Sequence, residues 1–136
     1  MNIKDQKEFP VDSAQLKEVR NFARGLFDQV PEFEDNREEL VLALAEAAQN
    51  IVKHAYKDDQ GTTDKMQIKI SFKNNKLEIG FFDKGKPIVE ENIKHRSLDD
   101  IKPGGLGTYF IKQIMDEVVF KEATGWHNNL VLTKKY

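Results

Sequence analysis

The sequence predicts an α+β protein built as a two-layer sandwich, with helices laid against a largely antiparallel sheet. Two observations carry this expectation. Apolar residues recur at helical spacing over two long segments between Asp12 and Lys57, whereas in MQIKISF, KLEIGFFD, VVFKEA and NLVLTKKY they alternate or cluster as in strands. Helical and strand segments also fall in blocks, the strands in hairpin-like pairs, which disfavours an alternating βαβ plan.

Taken in chain order, the N-terminus MNIKDQKEFP is charged, and its first few residues are expected to be loose. Asp12 and Gln15 have the spacing of a capping box, and Leu16, Val19, Phe22, Ala23, Leu26 and Phe27 continue one helical face until Pro31 stops it. A second helix is capped by Asp35 or Asn36, with Glu38 and Glu39 near its positive end, and runs to about Lys57. Leu40, Leu44, Ala47, Ile51 and Ala55 form its apolar side. After the loop KDDQGTTD, a hairpin turns at KNN and its second strand ends on Asp83. The polar segment KGKPIVEENIKHRSLDDIKP leads to GGLG, a further helix in TYFIKQIMDEV, and a last pair of strands around GWHNN.

The 136 residues suit one domain spanning 1–136, and no internal repeat or linker divides them. Without cysteine there is no disulfide framework and no thiolate zinc site. A net charge of -2, with both signs mixed along the chain, argues against a broad nucleic-acid or membrane surface. No apolar run approaches the roughly 18 residues of a membrane helix, and no signal-like segment follows the N-terminus, so a cytoplasmic protein is expected.

Three features stand out from this plain frame. LALAEAAQNIVKHAY spaces Glu46, Asn50 and His54 by fours. Each step of four turns only about 40° around a helix, so they share a narrow polar stripe. Asp83 ends a strand as D-K-G, and PGGLG opens a helix after a polar loop. Each alone has an ordinary explanation, respectively a solvated helix face, a turn aspartate and a glycine-rich helix entry.

Together, in the order E-x-x-x-N, D-x-G and G-G-L-G, they resemble the N, G1 and G2 boxes of the GHKL ATPase superfamily. Within it the chain is most similar to the bacterial anti-sigma factor serine/threonine protein kinases, through LALAEAAQNIVKHAY and GGLGTYFIKQIMDEVVF and over nearly its whole length from Phe9. The resemblance implies a histidine-kinase-like ATPase fold, with a mixed, mostly antiparallel sheet covered by helices on one face and residues 86–103 as an ATP lid. It implies ATP and magnesium as cofactors, with Asn50 as the metal ligand. An amide oxygen suits a hard cation otherwise held by water and phosphates. It matches Glu46 to the general base that takes a hydroxyl proton. It matches Asp83 to the group that accepts a hydrogen bond from the adenine amine, with Gly85 letting the backbone pass close to the base. Gly104, Gly105, Leu106, Gly107 and Thr108 are the matched phosphate-binding segment, where missing Cβ atoms and a helix start favour anions.

Two departures qualify the match. Pro103 replaces the polar residue that several relatives place before G2, leaving Lys102 as the neighbouring cation. NNLVLTKKY lacks a Gly-Thr pair, so no site is extended to the last strand. His54 has no second His or Cys at ligand spacing, and Trp126 and His127 sit in a turn with no evident chemical partner. The implied function is phosphorylation of an anti-anti-sigma (STAS-type) protein in a partner-switching system that also holds a sigma factor, with a homodimer formed through the N-terminal half. The alternatives are a nucleotide-binding partner-switch module without phosphoryl transfer and a detached histidine-kinase catalytic domain.

Overall fold

The N-terminal residues expected to be loose form a strand instead. The computed structural model describes residues 2–56, 59, 61–86 and 106–136. Strand β1 (Ile3–Pro10) pairs antiparallel with β2 (Lys65–Lys73), Phe9 opposite Met66 and Ile3 opposite Phe72. Its helix-facing positions are Ile3, Asp5, Lys7 and Phe9, so charged side chains interrupt the apolar alternation that would mark a strand. Such charge is normal on an edge strand, which gains its order from the neighbour's backbone.

Strand β3 (Lys76–Asp83) returns from β2 through Asn74 and Asn75, whose φ angles of 54° and 59° match the two-residue hairpin turn that the right-handed strand twist favours. β4 (Glu117–Lys121) and β5 (Asn128–Lys135) form the last hairpin. The sheet order is β1-β2-β3-β5-β4 and these pairings are antiparallel, so β5 enters between β3 and β4.

The core lies on one face of this sheet. Met66, Ile68, Ile70 and Phe72 of β2, and Leu77, Ile79 and Phe81 of β3, are buried beneath the helices. Helix α1 (Leu16–Phe27) contributes Leu16, Val19, Ala23, Leu26 and Phe27, as its spacing predicts. Helix α2 (Arg37–Asn50) contributes Leu40, Val41, Ala43, Leu44, Ala47 and Ala48. Phe33 is fully buried, with its ring 5.5 Å from that of Phe27, 4.9 Å from Phe72 and 5.0 Å from Tyr136. Helix α3 (Leu106–Ile114) packs along α2 and buries Ile111. Lys134 Nζ donates to the Ile114 carbonyl at 3.0 Å, satisfying one acceptor at the end of α3.

The helix starts differ in detail from the expected caps. Asp12 bonds the backbone N of Ala14 at 3.0 Å and opens a short 3₁₀ turn, Ser13–Gln15, so the Gln15 side chain makes no capping bond. Asn36 precedes α2, but its side chain donates to the Tyr136 hydroxyl at 2.8 Å rather than capping the helix. Among the described residues no helix is long and apolar enough to cross a membrane.

Candidate functional site

The alternation that buries Ile79 and Phe81 continues to Asp83, placing its carboxylate on the helix-facing side at the open end of the core. Only 1% of Asp83 is exposed. Its Oδ1 accepts the Gly85 backbone N–H at 2.9 Å and Nδ2 of Asn128 at 2.8 Å. Burial pushes the Asp83 carboxyl above its ordinary pKa, and these two donors act in the opposite sense by favouring the ionised form. A buried carboxylate with one oxygen tied by the protein can offer the other to a donor on a ligand.

Gly85 has a second reason to be glycine. A Cβ there would lie 2.5 Å from the Ala55 carbonyl oxygen and 2.9 Å from its carbonyl carbon. The backbones approach this closely because Lys86 N–H donates to Ala55 O at 2.8 Å, joining the exit of β3 to the end of the second helical segment. That segment is not α-helical to Lys57 as expected. After Asn50 its hydrogen bonding widens into a π-helical turn, Ile51–Ala55, which presents Ala55 O to the β3 exit. Lys57 lies outside the described residues.

Glu46 and Asn50 are both half-buried, one turn apart on α2, but they meet different neighbours. Glu46 lines a cavity of about 290 Å³ between α1 and α2, with Arg20, Arg24, Glu38, Leu42 and Gln49 among its walls. Asn50 faces α3, where its Nδ2 lies 3.3 Å from Thr108 Oγ1. The amide nitrogen thereby engages the Thr108 hydroxyl. An amide oxygen fits the demand of a hard cation that takes its remaining ligands from phosphate and water. Among the described residues no group of three or more His, Cys, Asp and Glu could hold a metal by itself.

Thr108, Leu106 and Gly107 belong to the first turn of α3. Gly104 and Gly105, together with Lys102, Pro103 and all of the expected lid beyond Lys86, lie outside the described residues. His54 is exposed at the end of the helical segment and lines a cavity of about 160 Å³ with Tyr56, Asp59, Lys84 and Lys86.

The sequence reading missed the contribution of the last hairpin. Asn128 stands directly opposite Asp83 in the β3–β5 register and also donates to Lys86 O at 3.0 Å. His127 N–H donates to Asp83 O at 3.0 Å, and its Nδ1 lies 3.1 Å from Gly85 O. Trp126 is 5.7 Å from the Phe82 ring, and Lys84 Nζ lies 5.4 Å from the Trp126 centroid. These residues sit more than 40 positions beyond β3 in the chain, and no local motif flags them. The one available signal was polarity, because NN at the start of an otherwise apolar strand is costly to bury without partners.

Residues 9–134 match the family model of the histidine kinase-like ATPase domain. The chain is similar to the serine-protein kinase RsbW of Staphylococcus aureus strains MSSA476 and MW2, 30% identical over 125 residues covering 84% of this chain and 77% of the relative. It is equally similar to RsbW of strain Newman, 30% identical over 123 residues with the same coverage. With the helix-covered antiparallel sheet and a match along almost its whole length, the chain belongs to the histidine kinase-like ATPase family of GHKL type.

Proposed function

We propose that this protein is an ATP-dependent serine/threonine protein kinase that acts as an anti-sigma factor, phosphorylating an anti-anti-sigma (STAS-type) protein and holding a sigma factor in its other state. The observation that carries the nucleotide-binding part is the buried Asp83 carboxylate, held at one oxygen by Gly85 and Asn128 beside the end of α2. Similarity to proteins named serine-protein kinase supports the acceptor class.

In this reading Asp83 accepts the exocyclic amine of adenine and disfavours guanine, whose carbonyl would face a carboxylate. Gly85 keeps the chain close to the base. Asn50 would hold magnesium through Oδ1, and the bound cation would neutralise charge on the phosphates. Thr108 positions Asn50, and the segment Gly104, Gly105, Leu106, Gly107 and Thr108 takes the phosphates. Glu46 accepts the proton of the protein hydroxyl as its oxygen bonds the γ-phosphorus and the bond to the ADP leaving oxygen breaks. The opening of the α1–α2 cavity at Glu46 supports an approach route for a hydroxyl-bearing partner. One ATPase domain over 1–136, a lid over 86–103, a homodimer and a cytoplasmic location complete the proposal.

The test is a calorimetric titration with ATP, with and without magnesium, followed by transfer of radiolabelled phosphate to a candidate STAS-type protein. Metal-dependent binding and an acid-stable, alkali-labile phosphoprotein are expected. Binding without transfer would identify a partner-switch module, and an acid-labile, alkali-stable product a histidine kinase. No binding would remove the nucleotide-dependent reading altogether.

A further inference from the structure

Charges that are mixed along the sequence are sorted by the pleat of the sheet. The helices cover one face, and the strand residues directed to the other carry seven lysines and three glutamates, on a chain of formal net charge -2. Lys76 and Lys135 hold Glu78 and Glu117 at 3.8 and 3.9 Å. Among the described residues the other five lysines, which include Lys69, Lys73 and Lys121, form no ion pair. The open face is therefore a local positive field on an acidic protein.

An aromatic pair stands at one end of this field. The Phe82 ring lies 5.7 Å from Trp126 and is tilted by 55° to it, with Lys69 Nζ 5.0 Å from the Phe82 centroid and Lys84 Nζ 5.4 Å from that of Trp126. Beside them Asn129 is 8% exposed, and its buried Oδ1 finds no hydrogen-bond donor among the described residues. The ring and this oxygen converge above Gly80, where a Cβ would lie 3.2 Å from Cε2 of Phe82 and 4.0 Å from Asn129 Oδ1. With no Gly80 side chain to brace it, the ring can shift and open Oδ1 to a donor from outside. A buried acceptor left unpaired is destabilising, so a donor that reaches it is rewarded.

We propose that the open sheet face is a docking surface for an extended acidic segment of a partner protein. Its carboxylates pair with the lysines, and one of its backbone N–H groups reaches Asn129 Oδ1 beside Phe82 and Trp126. Charge complementarity names the chemistry, and the aromatic pair decides the kind of polymer. A single nucleic-acid strand would also meet the positive charge, but it binds such a surface by stacking its bases on ring faces. Here both rings carry an ammonium group and are tilted to each other rather than parallel. A carboxylate meets those ammonium groups where they stand. A second copy of this chain set face to face would oppose lysine to lysine. The surface lies on the side of the sheet away from the helices, and the inference does not depend on the nucleotide reading.

Trp126 is the only tryptophan of the chain, so its fluorescence reports on this face. The probe is a peptide of alternating glutamate and serine with a central leucine, titrated into the full chain by fluorescence and calorimetry. The same peptide with glutamine for every glutamate, and an oligothymidylate of matching length, are titrated alongside. The glutamate peptide should shift the Trp126 emission and bind more weakly as salt is raised, and the other two should bind less well at every salt concentration. Lys69→Gln combined with Lys121→Gln should lower its affinity about 2- to 30-fold, as loss of two exposed ion pairs implies. Asn129→Val should lower it about 2- to 10-fold, yet melt no lower than the parent, because the oxygen it removes is unpaired in the free chain. Thermal melting of each variant checks folding, and should Asn129→Val not fold, the lysine pair decides the matter. Glutamate-peptide affinity unaltered by the lysine pair overturns the proposal, as does failure of that peptide to bind at low salt. Tighter binding of the oligothymidylate than of the peptide overturns it too and makes the face a nucleic-acid surface.

Discussion

Replacing Gly85 by alanine should separate a requirement set by neighbouring backbone from one set by chain flexibility. The added Cβ would sit 2.5 Å from Ala55 O, 2.9 Å from Ala55 C and 2.9 Å from Ala55 Cβ. Two of these atoms are backbone, so rotating a side chain cannot relieve the clash. The β3 exit and the π-helical turn must part by most of an ångström, which breaks the 2.8 Å bond from Lys86 N–H to Ala55 O. Overpacking costs about 1–3 kcal/mol and the lost hydrogen bond about 1 kcal/mol, together about 2–4 kcal/mol. For a chain of 136 residues that lowers the melting temperature by roughly 6–16 °C. Gly25, inside α1, provides the opposite case, because a Cβ there meets nothing within 4 Å. Gly25→Ala should gain about 0.5–1 kcal/mol from helix propensity. Differential scanning calorimetry of both variants, with ATP titration of each, is the assay. Gly25→Ala should bind ATP as the parent does, and Gly85→Ala should bind it less well. A Gly85→Ala variant melting within about 2 °C of the parent, with ATP affinity intact, would refute the argument that the β3 exit is locked to Ala55.

Asp83→Asn should retain the bonds to Gly85 and Asn128 but remove a buried charge. Because burial raises the Asp83 pKa, its neutral form favours folding below the unfolded pKa, and that contribution is lost as pH rises through the folded value. The variant should therefore melt at or above the parent temperature near neutral pH while binding ATP about 10- to 100-fold more weakly, and a large stability loss would contradict this. In the parent, ATP affinity should fall on acidification as Asp83 takes up its proton, at a higher pH than an ordinary aspartate would; a calorimetric pH series checks the limb, which Asp83→Asn should lack. Asn50→Ala should abolish the magnesium dependence of ATP binding, and equal affinity with and without the metal in the parent would remove that role. Glu46→Ala should bind ATP normally yet transfer phosphate at least about 100-fold more slowly, as expected for loss of a general base; parent-like transfer would exclude it.

The periodicities of α1, α2 and the four strands after α2 are legible in the residues alone, because burial on one face leaves its mark every three to four residues in a helix and every two in a strand. So are the shared helix of Glu46 and Asn50 and the place of Asp83 at a strand end. Where those groups look depends on long-range packing. Glu46 opens onto the α1–α2 cavity and Asn50 meets Thr108, 58 positions away, because the helices on either side of α2 are different. β1 stayed illegible because an edge strand with charged inward positions takes its order from β2 rather than from its own pattern. Asn128 reaches Asp83 only because β5 inserts between β3 and β4, a strand order that no local signal encodes. Side-chain patterning reports the solvent that a residue avoids, whereas the partner it finds there depends on long-range pairing of backbone groups, which are the same at every position.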